Sequence, residues 1–262
     1  MKLFSRRRIH EASASGSVVN VTEKNGVRIL QLGGHAIHSA MRLRNPHHLE
    51  LAYTRSMMAF LLFHPEPKKV LMIGLGGGSL VKYIHRNIPS ARVTAIEIEP
   101  QVVAAARSYF FLPPDDDRLN VRIGDGAVYV EKHSRCADVI LVDGFGEETL
   151  ADELATQEFY DHCHDALTED GILVVNLWGS DRRFGTFLER IEKSFDSLVL
   201  CLPAEERGNI IVFGMRKSPN FPKWEDLREK AKKLEAAYGL EFLKFVEGLK
   251  KMNLHSERRL LV

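Results

Sequence analysis

The chain has 262 residues, 45% of them hydrophobic and 27% charged, the balance of a soluble globular protein rather than a disordered or fibrous one. Its 36 basic and 35 acidic residues leave a net charge of +1, which argues against a protein that holds nucleic acid mainly by charge. Three widely separated cysteines, Cys136, Cys163 and Cys201, exclude a complete disulfide framework and suit the reducing cytoplasm, and no run approaches the roughly 20 apolar residues that span a bilayer.

The first ten residues, MKLFSRRRIH, are basic with no apolar run after them. They are not a secretory signal, and Arg6, Arg7 and Arg8 are expected to form a frayed, solvated end. Residues 17–43 read as a small β unit. SVVNVTEKN and GVRILQLGG meet at Asn25-Gly26, a dipeptide that tolerates the positive φ of a tight hairpin turn. HAIHSAMRL supplies a third short strand, and Asn45-Pro46 breaks the chain. HHLELAYTRSMMAFLLF, residues 47–63, has apolar residues at helical spacing and predicts one helix.

From Lys68 onward buried strands alternate with amphipathic helices. KKVLMI, RVTAIEIE, LNVRIGD, ADVILVD and GILVVNLW read as strands. SLVKYIHRNI, QVVAAARSYFF, GAVYVEKH, TQEFYDHCHDAL and RRFGTFLERIEKSF read as helices. That alternation predicts an α/β fold, a parallel sheet covered on both faces. SLVLCLP and NIIVFGMR have no helix between them and predict an antiparallel edge hairpin. Residues 224–252 have helical period, with Leu227, Leu234 and Tyr238 on one face and Leu243, Val246 and Leu249 continuing an apolar stripe beyond Gly239. Three units are expected: 1–50, the small β unit; 51–217, a nucleoside-binding α/β domain; and 218–262, a helical tail that caps the sheet or a partner chain.

The chemistry is concentrated at strand ends. VLMIGLGGGS places Gly74, Gly76, Gly77 and Gly78 between a strand and a helix, where the backbone turns sharply and a ligand can approach without Cβ contact. The spacing departs from the GxGxxG dinucleotide pattern. Glu97 ends the next strand about twenty residues on, the place from which a carboxylate accepts hydrogen bonds from ribose hydroxyls. Glu99 is expected to cap the following helix. Asp125, between Gly124 and Gly126, can accept from an adenine amino group, and Asp143 ends the fourth strand over the crevice where open α/β sheets bind ligands. Three acids around a glycine loop that holds no Lys or Arg form a nucleoside pocket without a phosphate site. This favours S-adenosylmethionine chemistry over NAD or ATP. His162 and His164, two apart on a helix, point in different directions and make poor joint metal ligands; no metal is expected.

These segments, together with Tyr53 and LATQEFY at 154–160, resemble the spermidine synthase family of polyamine aminopropyltransferases over residues 18–217. The resemblance implies a Rossmann-like, methyltransferase-type α/β domain behind a small β domain, commonly in a dimer. It also implies transfer of an aminopropyl group from decarboxylated S-adenosylmethionine to a polyamine. On matching positions, Gly74 and Gly76 would line the nucleoside, Glu97 would hold the ribose, and Asp125 with Gly126 would hold adenine. Asp143 would be the acid that takes a proton from the attacking amine, and Tyr53 would stand beside the amine pocket. The chain also departs from the family pattern. Gly77 stands where the family has an Asp that grips the amino end of the donor, Gly146 where it has a second acid, and Thr54 where it has a glutamine. A later pocket tyrosine falls near Glu205, and Glu147, Glu148 or Glu205 could replace lost charge. Each charged hydrogen bond contributes roughly 1.5–3 kcal/mol, so the amine half is altered more than the nucleoside half.

Three functions remain open on the residues: an aminopropyltransferase acting on a small-molecule amine, an S-adenosylmethionine-dependent methyltransferase, which Gly77 permits, and a non-catalytic nucleoside-binding homologue. A homodimer is expected, because isolated hairpins are marginal in water and pairing two β units would supply burial.

Overall fold

The computed structural model describes residues 7–14, 17–34, 36–145, 150–204 and 208–262. The chain opens with four antiparallel strands, β1 (Arg7–Ala14), β2 (Ser17–Lys24), β3 (Val27–Leu32) and β4 (Ser39–Arg42), paired in that order. Asn25 and Gly26 take φ of 53° and 72°, the conformation expected of the turn between β2 and β3. The expected frayed end is overturned for Arg7 and Arg8. They pair with Glu23 and Thr22 of β2, and Arg8 forms an ion pair with Glu11 at 2.6 Å. A run of arginines says nothing about the hairpin that β2 offers it; the unpaired backbone groups of the β2 edge decide the matter. Arg6 lies outside the described residues.

One face of this sheet packs Val19, Val21, Leu30 and Met41 against Val102, Ala105 and Phe110, the last three from α3 (Pro100–Tyr109) and its C-terminal end. Burial that was expected from a second copy is therefore supplied in part by the same chain.

The link between the sheets differs from the single helix predicted over 47–63. It is α1 (Ala52–Met57) followed by a 3-10 turn over Met58–Leu62. Thr54 Oγ1 donates to the Leu51 carbonyl at 2.7 Å, and Arg55 donates to the carbonyls of Leu49 and Glu50 at 3.0 Å. These bonds satisfy the carbonyls that precede the helix and set its start. Met57 to Leu62 are almost wholly buried, so packing on every side, rather than one apolar face, shapes this segment.

The main sheet has seven strands: β5 (Lys69–Ile73), β6 (Arg92–Glu97), β7 (Leu119–Ile123), β8 (Ala137–Val142), β9 (Leu167–Trp178), β10 (Val199–Pro203) and β11 (Asn209–Met215). Their order is β10-β11-β9-β8-β5-β6-β7. The five strands from β5 to β9 are parallel. β11 runs antiparallel between β9 and β10, so the expected hairpin is present and its second strand, not its first, joins the sheet. α2 (Ser79–Asn87), α3, α4 (Gly126–Lys132), α5 (Gln157–Ala166) and α6 (Phe184–Ser194) connect the strands. Apolar clusters fill both faces. The chain order reverses between β5 and β8, so their carboxyl ends open the crevice of a doubly wound sheet.

The tail is two helices, α7 (Trp224–Tyr238) and α8 (Phe242–Leu249). Gly239 sits at φ +66 and ends α7 in the left-handed conformation that glycine takes without Cβ strain. Trp224, Leu227, Leu234, Val246 and Leu249 join the same core as Leu200, Leu202 and Phe213, so the tail caps the sheet of its own chain. The buried stripe of α8 also contains Phe242 and Phe245, whereas Leu243 and Tyr238 are only partly buried. Among the described residues no helix is long and apolar enough to cross a membrane.

Phe242 is fully buried and its ring meets Phe245 edge-on at 5.4 Å. Phe242→Ala should destabilise the fold by about 3–5 kcal/mol. Urea denaturation should show a lower midpoint, and an unchanged midpoint would mean that α8 is not part of the cooperative core.

Candidate active site

The carboxyl ends of β5, β6, β8 and β9 wall a cleft of about 550 Å³. Gly74, Gly76, Glu97, Asp125, Gly126, Asp143 and Tyr53 all line it. Seven of the eight site residues expected from sequence are thus brought together by the sheet topology, although 90 residues separate Tyr53 from Asp143.

Glu97 and Asp125 are tied to the backbone. Glu97 accepts from the Leu75 N–H at 2.8 Å through one oxygen and from the Glu99 N–H at 3.0 Å through the other. It therefore pins the glycine turn to the end of β6. Burial raises the pKa of Glu97, while the bonds from Glu99, Leu75 and Gly76 work against that rise. Asp125 caps α4, accepting through one oxygen from Ala127 N–H at 2.7 Å and Val128 N–H at 3.3 Å. Glu99 caps α3 by accepting from Gln101 N–H at 3.2 Å, as expected.

Asp143 is held from two sides. The Tyr53 hydroxyl donates to Oδ2 at 3.1 Å and the Asn176 amide donates to Oδ1 at 2.9 Å. Asn176 in turn accepts from the Asn209 amide at 3.0 Å. Burial pushes the Asp143 carboxyl above the usual carboxylate range; Asn176, Tyr53 and nearby His38 oppose the rise without cancelling it. Burial also drives the Tyr53 phenol well above its ordinary value, and the Asp143 charge adds to the effect. Tyr53 therefore remains a neutral donor, and the acid can exchange a proton closer to neutral pH than a solvated aspartate.

Gly77 is not on the cleft wall. A Cβ there would lie 2.7 Å from Ser39 Oγ and 2.8 Å from a ring carbon of Phe110, so this position faces the small sheet and the end of α3. Thr54 is buried and spends its hydroxyl on Leu51. Gly146, Glu147, Glu148 and Glu205 lie outside the described residues. Lys82, four residues beyond Gly78, turns away from the loop. Its ammonium donates to the Phe110 carbonyl at 2.6 Å, and burial lowers its pKa to about 8.

Sequence reasoning missed Asn176, Asn209, His38, Glu153 and the Phe145–Trp178 pair, all of which line the cleft. The two rings stand 6.4 Å apart. Asn176 carried a signal, as a polar residue within the buried run GILVVNLW; His38 carried none, because only the fold of the small sheet brings it to the crevice. Among the described residues no cluster of three or more His, Cys, Asp or Glu could hold a metal ion.

Residues 50–204 match the spermine/spermidine synthase domain family. The chain is 41% identical over 257 residues to a polyamine aminopropyltransferase from Chromobacterium violaceum, with 98% of each chain covered. It is similar to the spermidine synthase structure from Thermotoga maritima, with a TM-score of 0.72 and 25% identity over 93% of this chain and 84% of that one. A spermidine synthase in complex with the transition-state analogue AdoDATO gives a TM-score of 0.70 and 25% identity, covering 93% and 89%.

Because Ser39 and Phe110 occupy the space beside Gly77, Gly77→Asp should cost about 1–3 kcal/mol by overpacking and should not tighten binding of decarboxylated S-adenosylmethionine. Thermal melts with titration calorimetry test this; a variant of parental stability that binds the donor more tightly would show that the carboxylate reaches the cleft.

Proposed function

Because the chain belongs to the spermine/spermidine synthase family, we propose that this cleft transfers an aminopropyl group from decarboxylated S-adenosylmethionine to a small amine acceptor. The observation that carries the proposal is the Tyr53–Asp143–Asn176 arrangement beside the glycine turn, a buried carboxylate held on both oxygens at the open end of the sheet.

Glu97, beneath the glycine turn, holds the ribose hydroxyls with the coordination its backbone bonds leave free. Asp125, with the start of α4 at Gly126, faces adenine; Gly74 and Gly76 let the nucleoside lie against the backbone. The carbon attacked stands beside a sulfonium, already a good leaving group, so the protein need not activate the donor. An acceptor amine is protonated near neutral pH and cannot attack until it loses that proton. Asp143 attracts the cation and takes a proton from the nitrogen, while Tyr53 holds the carboxylate in place. The N–C bond forms as the C–S bond breaks, and methylthioadenosine leaves. No residue in this scheme requires a metal. A homodimer in the cytoplasm fits the family resemblance.

Asp143→Asn should lower the rate of methylthioadenosine release from decarboxylated donor and putrescine by roughly 10²-fold or more. Activity needs ionised Asp143, so kcat/KM should fall as pH drops through a pKa above the ordinary aspartate range. A variant as fast as the parent would remove Asp143 from the base role. Glu97→Ala and Asp125→Ala should each weaken methylthioadenosine binding in calorimetry, and parental affinity in both would remove the proposed pocket. Light scattering at micromolar concentration should report a dimer; a lone 29.7 kDa species would exclude it.

A further inference from the structure

We propose that Asn209, acting through Asn176, is a positioning residue that sets the orientation and proton affinity of Asp143; this inference rests on Asp143 being the base. An ionised carboxylate can only accept hydrogen bonds, whereas a carboxamide has a donating end and an accepting end. Facing Asp143 Oδ1 at 2.9 Å, Asn176 must present its NH₂ group. Its oxygen is thereby turned away from Asp143 and toward Asn209. At 3.0 Å from that oxygen, Asn209 must also present its NH₂ group. Direction therefore runs one way, from Asn209 to Asn176 to Asp143. If Asn209 did not donate, the Asn176 amide could turn over and set its oxygen against the carboxylate, favouring protonated Asp143.

Strand register builds the relay. Val142 of β8 pairs with Val175 of β9, so Asp143 lies beside Asn176 as β8 ends. Asn176 pairs with Ile211 and Trp178 with Asn209 across the antiparallel β9–β11 ladder. Asn176 and Asn209 are thus diagonal neighbours, within reach of one another. Both are buried, and a buried amide left unpaired is costly, so the pair resists rotation. With Tyr53 on Oδ2 and Asn176 on Oδ1, the carboxylate plane cannot swing. The antiparallel insertion of β11 beside β9 thereby acquires a catalytic consequence, although β11 places no acid or base in the cleft.

Among the described residues, the other ionisable groups around Asp143 come from five segments. Tyr53 comes from α1, His38 from the segment before β4, Glu97 from β6, Asp125 from the start of α4 and Glu153 from the rim before α5. Neither Asn176 nor Asn209 titrates, so a change in pH profile on their substitution reports on Asp143.

The test uses the full chain with decarboxylated S-adenosylmethionine and putrescine, followed by methylthioadenosine release across pH. Asn176→Leu, near in size and unable to donate, should move the acid limb of kcat/KM to higher pH by about one unit, the expected effect of losing one charged hydrogen bond. It should lower kcat while leaving the KM for the donor within about twofold, since the amide does not reach the nucleoside side. Asn209→Leu should move the limb in the same direction by less. Asn209→Gln, which retains a donor, should restore it toward the parental position. If Asn209→Leu keeps the parental acid limb, or if either Leu variant loses donor affinity with kcat unchanged, the positioning role is overturned. A measurement on the unmutated protein guards against variants that fail to fold. The side-chain amide signals of Asn176 and of Asn209 in nitrogen–proton NMR should both titrate with the acid limb in the parent, and neither should titrate in Asp143→Asn. Flat amide signals in the parent would also overturn the proposal. Failure of the base assignment reads out separately, as an Asp143→Asn variant that turns over at the parental rate.

Discussion

At Gly74 a Cβ atom would stand 2.4 Å from the carbonyl oxygen of Asp143, so the turn leaving β5 and the end of β8 can lie side by side only because residue 74 has no side chain. Its φ of +84 is a second demand that glycine meets without strain. The backbones also bond at this point: Gly74 N–H donates to the Ile96 carbonyl and Asp143 N–H to the Ile73 carbonyl, both at 2.9 Å. Much else follows from this contact. It brings the glycine turn, the Glu97 carboxylate beneath it and the Asp143 carboxylate beside it into one crevice. Any larger residue at position 74 would push β5 and β8 apart where the sheet reverses its chain order.

Two carboxylates at the bottom of that crevice are raised in pKa by burial, and each is restrained differently. Glu97 is held by main-chain N–H groups of the glycine turn and of the β6–α3 connection, which cannot be lost without unfolding those segments. Asp143 is held by side chains from α1 and β9. Main-chain donors make Glu97 part of the scaffold. Side-chain donors leave Asp143 responsive to its neighbours, the property its proposed role as proton acceptor needs. Tyr53, Asn176 and Asn209 are therefore as much a part of this acid's chemistry as its own oxygens.

Glu97, Asp125 and the glycines Gly74 and Gly76 line one cleft. Gly77 faces Ser39 and Phe110 rather than the cleft, and the aromatic pair Phe145–Trp178 lies beside Asp143 and Asn176. An acceptor bound at Asp143 would lie near flat apolar surfaces, over which a cation is also attracted electrostatically.

Much of this protein was legible from local pattern. Alternating apolar runs and amphipathic helices identified the α/β sheet; Glu97 and Asp143 were found because each stands at the end of a buried run, and Asp125 because it sits between two glycines just past a strand, all properties of adjacent residues. Asn25-Gly26 announced its turn for the same reason. The bipartite link after Pro46 was not legible, because residues buried on all sides have no periodic face to betray their geometry. Nor was β1, since a strand at a sheet edge is defined by the partner it pairs with and not by its own arginines. Gly239 was visible as a glycine in an apolar stripe, yet only its left-handed φ of +66 shows that it ends α7 there. Residue type and local spacing determined which groups could do chemistry here. Tertiary structure alone decided which of them meet: Tyr53 and Asn176 on opposite oxygens of one acid, Asn209 behind it on an antiparallel strand, and Gly77 turned out of the cleft. Those contacts cross 33 to 90 residues of chain, and the register of strands that close such distances is set by the packing of the whole sheet.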